Sequence, residues 1–162
     1  MKLLEGHVKN RTKEAALAAM FIALFFVTRT FKIQVLPFYL LDLGGIFLFT
    51  PVLILSWQYT ILLSLAGLYG GSTIVSVSAW LTGTQVIFFL SKLVGKKYAV
   101  LTIIPGELVA WLTYGLALQA IGMMNLKFYI ITTALPELAV LIVTTTGVWF
   151  TLNILRRFEV ID

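Results

Sequence analysis

The chain has 162 residues, 60% of them hydrophobic and only 12% charged, with a formal net charge of +5 and no cysteine. A soluble domain is about half apolar and about a quarter charged, so an ordinary soluble fold is excluded. The missing cysteines exclude disulfides and thiolate metal sites, and the basic residues sit at predicted helix ends, where a membrane topology accounts for them without nucleic acid.

Residues 1–11 form a basic tail carrying Lys2, His7, Lys9 and Arg11. Basic-then-apolar order imitates a signal peptide. The apolar run is long for that role, however, and is followed by Arg29 and Lys32, not by a small-residue cleavage site, so it reads as a retained helix. This first helix spans residues 12–31. Within it Ala15, Ala19 and Ala23 fall four apart and stack into a ladder on one face. In lipid, such a ladder lets another helix backbone approach closely. It serves either as a docking face for a second protein or as packing inside its own bundle.

Lys32 to Pro37 reads as a loop, with Lys32, Gln34 and Tyr39 as members of a possible lid. Helix two covers residues 39–49, contains Gly44-Gly45 and is short for a crossing. Thr50-Pro51 predicts a break, because proline disfavours helix at the residue before it. Helix three is predicted over 52–68, helix four over 73–93, helix five over 98–121 and helix six over 128–155. Gly70-Gly71-Ser72, Gly95 and the segment from Gly122 to Lys127 separate them. Pro105-Gly106 interrupts helix five, and Pro136 falls in the first third of helix six.

From Leu43 to Ser91 no side chain is charged, a run of about fifty residues against the roughly twenty that one crossing needs. The reading is therefore an all-α membrane protein, a single bundle of six transmembrane helices with both termini cytoplasmic. Charge supports that count. Six crossings put Lys2, Lys9, Arg11, Lys13, Lys92, Lys96, Lys97, Arg156 and Arg157 inside, and only Arg29, Lys32 and Lys127 outside. Merging helices two and three would place the Lys92–Lys97 cluster outside. Tyr39, Tyr69 and Tyr129 fall at the outer interface, Tyr98 and Trp149 at the inner one.

Intramembrane charges are the best functional pointers, because each is costly unless partnered. Asp42 opens helix two near the outer surface. Glu107 and Glu137 each lie about nine residues into their helices, roughly 13 Å deep, close to the midplane. A proline precedes each by one or two positions, and irregular backbone at this depth is tolerated inside protein or beside a cavity. Glu137, with Glu107, is the candidate lining of a buried solute site; the alternative is a protonated or ion-paired structural role. Arg29 either pairs with Asp42 or reaches an anionic group of a solute. Trp80, Trp111 and Tyr114 are aromatics away from the interfaces. With Gln85 and Gln119 they can sandwich a flat ring and read its edge, or simply fill the core. Pro105-Gly106-Glu107-Leu108-Val109 and Pro136-Glu137-Leu138-Ala139-Val140 echo each other weakly, as in an inverted repeat.

No phosphate-binding Gly-x-x-x-x-Gly-Lys-Ser/Thr loop, His-Glu-x-x-His or Gly-x-Ser-x-Gly elbow is present, and His7 is the only histidine. Catalysis by this chain and a transition-metal site are therefore not expected, nor is any cofactor.

The basic tail, the Ala ladder ending in Val27-Thr28-Arg29, Leu41-Asp42-Leu43-Gly44-Gly45-Ile46, Phe49-Thr50-Pro51, the Pro-Glu-Leu of helix six and the closing Arg156-Arg157 together resemble the substrate-binding S component of energy-coupling factor (ECF) transporters. The resemblance covers nearly the whole chain, although Thr50-Pro51 stands where many members have Gly-Pro. It implies a plasma-membrane subunit that binds a vitamin or related micronutrient on the outer side, between the first outer loop and helices four to six. It implies association with a membrane coupling protein and two ATP-binding subunits, which would hydrolyse the ATP, and toppling of the subunit to deliver its cargo. The family's Ala-x-x-x-Ala docking surface maps to Ala15/Ala19 or Ala19/Ala23. Position two is Lys2, not the His of nickel and cobalt members, which argues against a metal cargo. The substrate-binding residues expected are Glu137, Trp80, Tyr114, Gln85, Glu107, Arg29, Tyr39 and Asp42. Buried carboxylates with aromatics lean toward a cationic, ring-bearing solute such as a thiamine-like compound. The competing readings are a membrane scaffold without a solute and, less well supported, a small membrane enzyme.

Overall fold

A computed structural model describes residues 10–30, 33–36, 39–41, 43–66 and 74–161, with the backbone alone for residues 29, 33–36 and 39–41. The described residues form six α-helices: α1 (Arg11–Thr30), α2 (Gly44–Ile54), α3 (Trp57–Ala66), α4 (Ile74–Val94), α5 (Ile103–Ala120) and α6 (Leu126–Arg157). A 3-10 turn, Ala99–Thr102, leads into α5. Three helical stretches, Ile74–Val94, Ala99–Ala120 and Leu126–Arg157, are long and apolar enough to cross a membrane. The expected predominantly helical, apolar architecture is present, with three helices fit by length and composition to cross a membrane. α2 has 11 residues, which at about 1.5 Å per residue reaches roughly half the hydrocarbon thickness.

Two boundaries differ from the sequence reading. Tyr39 does not begin a helix: β1 (Ile33–Leu36) and β2 (Tyr39–Leu41) pair antiparallel, and helix starts only at Gly44. The β-branched Ile33 and Val35 and the aromatic Tyr39 favour the extended form. β2 rests against α6. Thr50-Pro51 does not break the chain either. α2 runs through Pro51 to Ile54, and the break falls at Leu55, whose φ of −92° and ψ of 165° are extended. Inside a buried helix the missing proline N–H is tolerable, and the Thr50 hydroxyl donates to the Ile46 carbonyl at 2.7 Å in the preceding turn. Pro105-Gly106 does not interrupt α5. It lies in the first turn, where a proline N–H has no helical acceptor to lose. Pro136 sits inside an unbroken α6, where it removes the bond to the Thr132 carbonyl.

The helix ends are set by short-range chemistry. The Asn10 side chain accepts from the Thr12 N–H, and Asn125 accepts from the Lys127 N–H, both at 2.9 Å. These caps start α1 and α6 one and two residues earlier than expected. α5 closes with Gly122 at φ 73°, the Met123 N–H on the Leu118 carbonyl and the Gly122 N–H on the Gln119 carbonyl. α6 closes in the same way, but with Glu159 in the left-handed position at φ 54°.

The core joins Leu17, Phe21 and Phe25 of α1, Leu48 and Val52 of α2, Ile87 and Phe88 of α4, and Val148 and Leu152 of α6. α4 and α5 approach most closely. A Cβ on Gly83 would stand 2.7 Å from both the Ala110 Cβ and the Gly106 carbonyl oxygen, and one on Gly106 would collide with Ile87. Small residues at the seam are what close packing of helices in lipid requires.

Glu14 ties the basic end together. Only 6% exposed, its Oε1 accepts the Ser56 backbone N–H at the α2–α3 junction, and it lies within charge range of Lys92 near the end of α4. The start of α1, the α2–α3 junction and the end of α4 therefore share one end of the bundle. Lys96, Lys97 and Arg156 line one cleft, so the end of α6 is there as well. Of the cations expected on one side, Lys92, Lys96, Lys97 and Arg156 are thus placed at one end of the bundle.

Gly106→Ala is expected to destabilise the bundle by about 1–3 kcal/mol through overpacking against Ile87 and the Gly83 backbone. Glu159→Gly, by contrast, is expected to stabilise it by about 0.5–1 kcal/mol by relieving a left-handed non-glycine residue. Thermal unfolding in detergent, followed by circular dichroism, checks both signs.

Candidate functional site

The buried residues of α6 include Tyr129, Thr133, Glu137, Thr144, Val148, Leu152 and Leu155. Their spacing of three, four or seven residues places them on one face. The stripe is polar in its first half and apolar in its second. The site grows from that polar half and from the facing side of α5.

Across the seam stand Glu107, Trp111, Tyr114 and Gly115 of α5. Glu107 and Glu137, 6% and 9% exposed, lie within charge range of each other, and the Thr144 hydroxyl is in hydrogen-bonding range of the Glu107 carboxyl. Glu107 Oε2 is buried with no hydrogen-bond partner among the described residues. Two buried carboxyls this close repel when both are ionised. A shared proton, or a cationic group between them, relieves that repulsion.

Two turns along α6 from Glu137, toward the helix start, the wall is aromatic. The Tyr129 ring lies 5.7 Å from Trp111 and 6.1 Å from Tyr114, centroid to centroid, both tilted. Gly115 makes room for it, since a Cβ there would strike the Tyr129 ring. Trp111 Nε1 donates to the Thr133 hydroxyl at 2.8 Å, and that hydroxyl donates to the Tyr129 carbonyl at 2.8 Å. This chain fixes the Trp111 ring and satisfies both polar groups. The arrangement sets a paired acidic group beside an electron-rich aromatic wall, which suits a cation carrying an aromatic ring.

The structure brings together three of the expected residues, Glu107, Glu137 and Tyr114. Two others have partners on different elements. Trp80 packs edge-on against Phe25 of α1, with centroids 5.4 Å apart at 86°. The Gln85 Oε1 accepts from Trp57 Nε1 of α3 at 2.7 Å, while its Nε2 is buried without a partner among the described residues. Gln119 Oε1 accepts the Leu126 N–H at 3.2 Å and closes the α5–α6 turn. Asp42 lies outside the described residues, as do the side chains of Arg29 and Tyr39. Tyr129, expected at the outer interface, is buried in the wall. Tyr129, Thr133 and Thr144 were missed as site residues, and their spacing of eight, four and seven residues from Glu137 was the signal for them. Glu14 was missed because Ser56 and Lys92 are far from it in sequence.

Ala15, Ala19 and Ala23 are all exposed, whereas Glu14, Leu17, Ala18, Phe21 and Phe25 turn the opposite flank of α1 inward. The ladder therefore does not pack inside this bundle. Among the described residues no cluster of three or more metal-ligating side chains is present.

Comparison with protein-family profiles, with curated proteins and with solved structures finds no match.

Thr144→Val removes a hydroxyl from a buried carboxyl and is expected to cost about 1–3 kcal/mol. Thr132→Val, whose hydroxyl bonds only its own helix at the Phe128 and Tyr129 carbonyls, is expected to cost less. Paired detergent unfolding curves of the two variants check the difference.

Proposed function

We propose that this chain is the substrate-capture subunit of an ATP-driven vitamin importer, an S component of the ECF type. The reading is carried by one observation: two buried carboxyls, one with an unpartnered oxygen, set against the Trp111–Tyr114–Tyr129 wall. A water-soluble cation with an aromatic ring, of thiamine's chemistry, answers both halves of that site. The carboxyls supply charge, the rings supply stacking, and Thr133 and Thr144 hold the framework in place.

In this reading the six helices form a multi-pass bundle in the plasma membrane, with the basic end cytoplasmic as the positive-inside bias directs. The hairpin Ile33–Leu36/Tyr39–Leu41 follows α1 and precedes α2 in the chain, and β2 contacts α6; its proposed role is to cover the solute. Tyr39 belongs to that hairpin, and Arg29 lies at the end of α1 that leads into it. The exposed ladder Ala15, Ala19 and Ala23 faces a membrane coupling protein, which links the subunit to two ATP-binding partners. This chain itself performs no catalysis.

Isothermal titration of the purified protein with thiamine is expected to give saturable binding. Glu137→Gln is expected to weaken it roughly tenfold or more, as loss of a charged hydrogen-bonding partner requires. Unchanged affinity in Glu137→Gln, or no binding of thiamine or any other water-soluble vitamin, would favour a scaffold without a solute. Ala19→Leu is expected to abolish co-purification with the coupling protein while leaving titration unchanged. Loss of both would mean that the substitution damages the bundle itself.

A further inference from the structure

A cleft of about 770 Å³ opens at the basic end, between the Lys96–Leu101 segment and the second half of α6. It is separate from the carboxyl pair in chemistry. Lys96, Lys97 and Arg156 supply three cationic groups, and Thr145 and Thr146 supply hydroxyls. Thr145 is unusual among the threonines of α6. The hydroxyls of Thr132, Thr133 and Thr151 donate back to carbonyls of their own helix, whereas Thr145 Oγ1 is buried with no partner among the described residues. The nearby carboxylates are committed elsewhere: Glu14 to Ser56 and Lys92, Glu107 to Thr144.

The rest of the lining is apolar and open. Leu101 and Trp149 are each 56% exposed and border the cations directly. The exposed Ile104 and Leu108 continue from Leu101 along α5, and the exposed Ile142 continues from Thr145 along α6. A site for a free anion has no use for such a track. A ligand with an anionic head and a hydrocarbon tail uses both parts: phosphate against the cations and hydroxyls, glycerol beside Trp149, and an acyl chain along the exposed aliphatic residues.

We infer that this cleft is a binding site for an anionic phospholipid of the leaflet at the basic end of the bundle. The site rests on the membrane placement of the chain and not on the solute proposed above. Bound there, the lipid bridges the start of α5 to the end of α6.

The test is native mass spectrometry of the full chain released from mixed micelles holding equal amounts of phosphatidylglycerol and phosphatidylcholine. Phosphatidylglycerol adducts are expected to dominate. The triple variant Lys96→Gln, Lys97→Gln, Arg156→Gln is expected to lose them, by roughly fivefold for each charge removed. The variant Arg11→Gln, Lys13→Gln, Lys127→Gln removes equal charge away from the cleft and is expected to keep them. Thr145→Val, which leaves all charge in place, is expected to reduce them as well. Equal adducts of the two lipids, equal loss in the two charge variants, or displacement by an equal concentration of inorganic phosphate would overturn the proposal. No vitamin enters this assay, so its outcome is independent of the solute reading.

Discussion

The constraint on which the rest of this structure depends is that a polar group carried into an apolar bundle must find its partner within the protein. Water is not there to take its place, and each unpartnered group costs several kcal/mol. Much of the bundle's packing follows from how this is met. Ser64 meets Thr84 at 2.8 Å, hydroxyl to hydroxyl, and Trp57 meets Gln85, so α3 is keyed to α4 by polar contacts. Trp111 meets Thr133, which keys α5 to α6. Glu14 accepts the N–H of Ser56 at the very point where the helical backbone is interrupted. Apolar packing alone distinguishes poorly among helix faces in lipid, since the tails are as apolar as leucine. These contacts specify which face meets which.

Set against that rule, the few polar atoms left over acquire meaning. Glu107 Oε2, Gln85 Nε2 and Thr145 Oγ1 are buried without partners among the described residues. Two of them stand at distinct places on the α5–α6 side of the bundle, Glu107 Oε2 near the aromatic wall and Thr145 Oγ1 on a residue lining the basic cleft. They lie on facing helices, and Thr144, which serves Glu107, is the immediate neighbour of Thr145. The turn of α6 holding Thr144 and Thr145 thus serves the carboxyl pair with one residue and the basic cleft with the next. Gly45 packs its backbone against Thr144 on α2's side, so this turn is also where α2 closes the core.

How much of this was legible in the sequence follows from the range of the interactions involved. The long apolar stretches, the basic end, and the facing of Glu107 and Glu137 were legible, because composition and helical rise are local arithmetic. Asn10 and Asn125 are cap residues by type, so the starts of α1 and α6 are legible as well. Pro51 misled because proline's cost depends on what surrounds it, and the sequence does not show that α2 is buried there. Tyr129 misled for a related reason. Its position near a helix end suggests a membrane interface, while its true environment is set by the absence of a side chain at Gly115 on another helix. Gln85 and Trp80 were placed with the site on type alone, and only the pairing of α4 with α3 and α1 shows where their nearest partners are. Glu14 reads as an ordinary first-turn carboxylate, yet it holds a residue 42 positions away. Long-range pairing of that kind leaves no periodic trace.

The Ala ladder of α1 is best understood by asking what a lipid-facing helix gains from alanine. Facing acyl chains, a larger aliphatic residue makes more dispersion contacts and costs nothing in polar burial. Many exposed positions of the bundle follow that logic, Leu135, Leu138, Ile142 and Phe150 of α6 among them, although Ala16, Ala120 and Ala139 are exposed as well. Ala15, Ala19 and Ala23 depart from it on a face that is equally open. Inside the protein small residues occur where two backbones close in, as Gly83 and Gly106 do between α4 and α5. On α1 the same residue type lies on a face that the described bundle leaves open. Glu14 is on the opposite flank of the same turn and binds α1 to the α2–α3 junction. The open ladder face thus belongs to a helix whose basic end is tied to the α2–α3 junction and lies within charge range of the end of α4.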